Sequence, residues 1–118
     1  MDTIYEGDVQ VTATTGYATY TLTSSADNYD YAICTVKITE TDGTLVRATT
    51  VVPANTSSAM SWSYGVGSGS ANIGTYGWVS LSADKTSIRF ALWEKGSNAS
   101  SASLERVDGI KVNSMTLS

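Results

Sequence analysis

The stretch from Gly77 to Glu94 constrains this chain more than any other. Val79 and Leu81 alternate with polar neighbours, Ala83-Asp84-Lys85-Thr86 reads as a turn, and Ile88, Phe90 and Leu92 alternate again. Strand side chains project to opposite faces with a period of two, so each arm has one face for a core and one left over. The pattern predicts an antiparallel hairpin. No window of the chain carries the i, i+3, i+4, i+7 apolar stripe of a helix.

The same period recurs elsewhere. Tyr5 to Thr14 is expected as a first strand, with Val9 and Val11 on one face, and Tyr17 to Leu22 as a second after a turn at Thr15-Gly16. Ser24 to Asp30 reads as a polar loop. Tyr31 to Thr39 is the clearest strand, with Ala32, Cys34, Val36 and Ile38 on one side. Asp42-Gly43 is a hairpin signal, because its turn positions need positive φ. Leu45 to Val52 returns, and Pro53 ends it, since proline cannot donate to a ladder. After a loop from Ala54 to Ala59, Met60, Trp62, Tyr64 and Val66 alternate with small residues. Gly65 to Gly74 is expected as a mobile surface loop and Gly96 to Ser103 as a serine-rich one. Leu104 to Asn113 closes the fold, with a bulge at Asp108-Gly109 where the apolar phase slips. About eight strands with short turns predict an all-β fold: an antiparallel two-sheet β-sandwich, jelly-roll-like, forming a single domain over residues 1–118.

Composition excludes several classes of function. Only 15% of residues are charged, the net charge is −4 and the pI is near 4.5. Serine and threonine supply the polar surface. Nucleic-acid backbones need clustered Lys and Arg, whereas the seven basic residues here are scattered, so no nucleic acid is expected as a partner. No run approaches 18 apolar residues, so no membrane insertion is expected. Met1-Asp2-Thr3-Ile4 has neither the basic nor the apolar region of a signal peptide. Histidine is absent and Cys34 is the single cysteine, so zinc and a Cys–His nucleophile are excluded. Cys34 shares the parity of core residues and reads as a buried apolar side chain.

Carboxylates are the remaining titratable candidates. Asp27 and Asp30 are the tightest cluster, and turn capping by their side chains explains them better than a glycosidase pair or a calcium loop. Gly65-Val66-Gly67-Ser68-Gly69 matches no phosphate-cradling spacing. No cofactor, metal or catalytic residue is expected, and the chain does not read as an enzyme.

Aromatic residues are the better lead. Trp78 and Trp93 lie on the opposite parity from Val79, Leu81, Ile88, Phe90 and Leu92, hence on the outer face of their sheet unless a loop or second sheet covers it. A two-residue turn at Asp84-Lys85 sets Trp93 opposite Tyr76; a four-residue turn from Asp84 to Ser87 sets it opposite Trp78. Paired aromatics outside a core mark a partner surface. The candidate binding set is Tyr29, Trp62, Tyr64, Tyr76, Trp78 and Trp93, drawn from loops at one end and the outer face. Met60 and Trp62 are nevertheless expected in the core.

In order along the chain come Tyr5-Glu6-Gly7, Ala18-Thr19-Tyr20-Thr21-Leu22, Asn28-Tyr29-Asp30-Tyr31-Ala32-Ile33 and Thr49-Thr50-Val51-Val52-Pro53. Val79-Ser80-Leu81-Ser82, Thr86-Ser87-Ile88-Arg89-Phe90 and Val107-Asp108-Gly109-Ile110-Lys111 follow. This succession resembles the small β-sandwich domains at the distal ends of bacteriophage tail fibres and related virion adhesion proteins. The resemblance implies a non-enzymatic virion protein: a tail-fibre tip, head fibre or capsid decoration that attaches to the host surface. It also implies a homo-oligomer, a trimer, with other virion proteins and a host surface glycan as further partners. A free-standing carbohydrate-binding module or lectin is the alternative. A hydrolase of surface polysaccharide stands third.

Overall fold

The computed structural model describes residues 1–65 and 74–112. Eight strands are present among them: β1 (Asp2–Glu6), β2 (Ala18–Thr21), β3 (Tyr31–Glu40), β4 (Leu45–Pro53), β5 (Met60–Tyr64), β6 (Thr75–Leu81), β7 (Ser87–Glu94) and β8 (Ala99–Ile110). One 3-10 turn, Ala26–Asn28, interrupts the β2–β3 connection; Ser25 caps it, accepting from the Asp27 N–H at 3.2 Å. The strands form two antiparallel sheets, ordered β1-β8-β3-β4 and β2-β7-β6-β5. The all-β sandwich expected from the alternation is the fold observed. At one edge the pairs β1/β8 and β2/β7 hold matching places in the two strand orders. Towards the other edge the links β3–β4 and β5–β6–β7 are hairpins within one sheet. The Thr23 N–H bonds to the Ile4 carbonyl (2.7 Å) across the first edge, and the Thr50 hydroxyl to the Ser61 carbonyl (3.0 Å) across the second.

Alternation in the sequence becomes alternation in burial where a strand lies between neighbours. Ala32, Cys34, Val36 and Ile38 are all buried from β3, and Val79, Leu81, Ile88, Phe90 and Leu92 meet them from β6 and β7. Burial pushes the Cys34 thiol up to about 12, so it is inert at neutral pH. The β6–β7 pairing follows the shorter turn, with Leu81 opposite Ile88 and Val79 opposite Phe90.

Asp84 locks that turn. Its Oδ1 accepts from the Ser82 hydroxyl (2.7 Å), the Thr86 hydroxyl (2.7 Å) and the Thr86 N–H (3.1 Å). These donors hold its carboxyl down from 3.8 to about 2, so the turn gains stability from ionised Asp84 above pH 3.8 and loses it as pH falls through about 2. Thermal melts between pH 4 and pH 2 are expected to fall less steeply for Asp84→Asn than for the parent. Equal slopes would show that the carboxylate has no part in the turn.

The structure corrects the sequence reading in three places. The first strand spans Asp2–Glu6 rather than Tyr5–Thr14, and its core residue is Ile4; Val9 is 54% exposed. The chain leaves the ladder near Gly7; beyond it Asp8 forms an ion pair with Lys37 on the outer face of the first sheet, and only Val11 rejoins β8, opposite Ala102. The serine-rich stretch expected as a loop from Gly96 belongs largely to β8, the longest strand. This half of β8 pairs with β3 on one side and is bridged by Val11 at Ala102 on the other: Ala102 and Ser103 are fully buried, and the Ser100 hydroxyl donates to the Thr39 carbonyl at 2.9 Å. Opposite the expected bulge at Asp108-Gly109 it is β1 that slips, with Ile4 as the extra residue, and against β3 the β8 strand bulges at Ser100 and again at Glu105, since Thr35 faces Arg106 while Val36 faces Leu104. The bulge at Glu105 lets Leu104 and Val107, three apart, both point inward. The expected mobile loop at Gly65–Gly74, with Val66, lies apart from its two ends outside the described residues.

Candidate functional site

β6 and β7 present their outer face as a row of aromatic rings. Alternation sends Trp78 and Tyr76 outward from β6, with Val79 and Gly77 inward. On β7, Tyr76 faces Glu94 and Gly77 faces Leu92, so Trp93 is the extra residue of a bulge. The bulge keeps Leu92 in the core while Trp93 stands 62% exposed. Trp93 and Tyr76 approach at 6.4 Å between ring centroids, tilted by 47°. Trp78 is half-buried because Tyr17, just before β2, tilts against it at 5.8 Å; the Arg89 guanidinium sits 4.8 Å above the Tyr17 ring. Ala91 forms the floor and is 2% exposed although it faces outward. The result is a groove of about 230 Å³ lined by Thr14, Gly16, Tyr17, Trp78, Ala91 and Trp93, with Leu92 contributing from its base.

The rings are held from beneath. Trp62 of β5 lies in the core, 2% exposed, stacked on Phe90 at 5.6 Å with planes 7° apart. It fits there because its partner across the ladder is Gly77, whose missing side chain leaves room for the indole. Its Nε1 is buried with no hydrogen-bond partner in the protein among the described residues. Trp62 therefore supports the face and does not present itself to a partner, and Met60 is half-buried beside it.

The six sequence candidates do not form one site. Tyr76, Trp78 and Trp93 share the outer face. Tyr64 is 39% exposed at the end of the sandwich where β3 finishes, beside Glu40 and Asn98. Tyr29 lies at the opposite end, where β3 begins, with Tyr31 and Asn55. Tyr17 and Arg89 complete the aromatic row but were not legible as site residues. Tyr17 precedes β2, and which strand β2 pairs with is fixed by the fold and not by local pattern. The one available signal was Gly16, whose φ of +74° turns the chain onto the sheet.

Chemically, the face offers flat apolar rings and one guanidinium. The three ion pairs among the described residues, Lys37–Asp8, Arg47–Glu105 and Arg106–Asp108, belong to the other sheet. No family model, curated protein or solved structure matches this chain.

Proposed function

We propose that the protein is a non-enzymatic virion attachment protein that holds a host-surface glycan against the outer face of β6 and β7. The observation that carries this reading is the row Tyr17, Trp78, Trp93 and Tyr76, displayed on a rigid sheet over a small floor residue. A sugar ring offers an apolar C–H face that stacks on indole and phenol, and large aromatics lose few torsions on binding. At about 230 Å³ the groove is below the ~300–1,000 Å³ of enclosing small-molecule pockets. A shallow contact along a polysaccharide fits it better than capture of a free metabolite. Single stacking contacts are weak, and a trimer would raise the apparent affinity by roughly 10²–10⁴ through multivalency. The proposed oligomer, a trimer joined to other virion proteins, follows from the tail-fibre resemblance.

Intrinsic tryptophan fluorescence tests the reading. Titration with cell-wall polysaccharides and capsular glycans is expected to shift the emission, because Trp93 is exposed and becomes covered. No shift across a broad panel would refute it. Light scattering is expected to give about three times 12.4 kDa. Glycan binding by a 12.4 kDa species would point instead to a free-standing carbohydrate-binding module.

A further inference from the structure

A second concave site lies at the far end of the sandwich from Tyr76 and Trp93. It is a cleft of about 560 Å³ where β3 begins and β4 ends, within the ~300–1,000 Å³ range of small-molecule sites. Tyr29 and Tyr31 form its apolar walls, Asp27, Asp30 and Asn55 its polar rim, and Ala54 lies at its base. We propose that this cleft binds a single uncharged hexose unit, independently of the aromatic groove.

The frame of the cleft is fixed before any ligand arrives. The Asp30 N–H bonds to the Ile110 carbonyl (2.8 Å), the Ala54 N–H to the Asp30 carbonyl (2.9 Å), and the Val112 N–H to Asp30 Oδ2 (2.7 Å). The Tyr29 ring lies against Gly109, where a Cβ would come within 2.5 Å of it, and its hydroxyl donates to Asp2 Oδ2 at 2.8 Å. What remains for a ligand is the 41%-exposed Tyr31 ring, the Asp27 carboxylate and the Asn55 carboxamide. Neither polar group has an intramolecular partner among the described residues. A carboxylate only accepts, while a carboxamide both donates and accepts. A pair of adjacent sugar hydroxyls matches that set, with a C–H face on Tyr31. No Lys or Arg side chain lines the cleft, and two carboxylates do, so uronic acids, sialic acids and phosphorylated sugars are repelled.

Amide chemical-shift titration of the ¹⁵N-labelled chain tests this with glucose, galactose, mannose and N-acetylglucosamine, and with glucuronate as the anionic control. At least one neutral sugar is expected to give saturable shifts at residues 27–31 and 53–55. Tyr31→Ala and Asp27→Asn, both at exposed positions, are each expected to weaken it about tenfold, and glucuronate to bind at least about tenfold more weakly. No shifts at these residues with any neutral sugar, shifts unchanged in both variants, or preference for glucuronate would each overturn the proposal. No tryptophan lines this cleft, so failure here leaves the fluorescence test of the groove intact.

Discussion

Gly77→Ala is expected to destabilise the protein by about 3 kcal/mol or more, lowering the melting temperature by roughly 10 °C. A Cβ on Gly77 would overlap the Ala91 carbonyl oxygen on the neighbouring strand and lie 2.8 Å from the Trp62 ring. The second clash could relax by a shift of the indole, but the first is with backbone in a ladder. Combining Gly77→Ala with Trp62→Phe is therefore not expected to restore stability. Full recovery in the double variant would show that the Trp62 ring alone sets the requirement for glycine. Urea unfolding of the four chains of this double-mutant cycle measures both terms.

Trp62→Ala is expected to remove about 3–5 kcal/mol, the range for emptying a large aromatic site in a packed core. Trp62 is among the largest fully buried side chains and stacks on Phe90, so its loss leaves a void between the sheets. Trp62→Phe is expected to cost far less, because it keeps a ring on Phe90 and deletes an Nε1 that has no partner among the described residues. Comparable losses for the two substitutions would mean that the indole N–H is satisfied in solution and that its removal matters.

Strand period and turn chemistry made the fold legible where strands have one face in the core. β3, β6 and β7 were readable because apolar core residues recur at every second position along them, and β4 because a turn signal at Asp42-Gly43 precedes it and Pro53 ends it. β8 was not, because Ala99 to Ser103 carries small polar residues that also favour loops. Only their pairing with β3, and the bridge from Val11 to Ala102, shows that they form a strand. β1 was placed too late because Val9 and Val11 resemble a strand, while the contacts that Asp8 and Val11 make instead, with Lys37 and Ala102, join residues far apart in sequence. At the candidate site, parity placed Trp78 and Trp93 outside the core. It could not show the bulge that exposes Trp93, nor bring Tyr17 and Arg89 to the same face, since both depend on pairing between distant segments.

Retention on an array of bacterial surface glycans, compared between the parent chain and the Trp78→Ala/Trp93→Ala double variant, decides whether the β6–β7 face is the contact surface. Trp93 is largely exposed and Trp78 half-buried at the surface, so the melting temperature is expected to change little beside that of Trp62→Ala. Binding of the parent to at least one glycan class, reduced about a hundredfold in the double variant while its fold is intact, is the expected result. Undiminished retention by a folded double variant would contradict it.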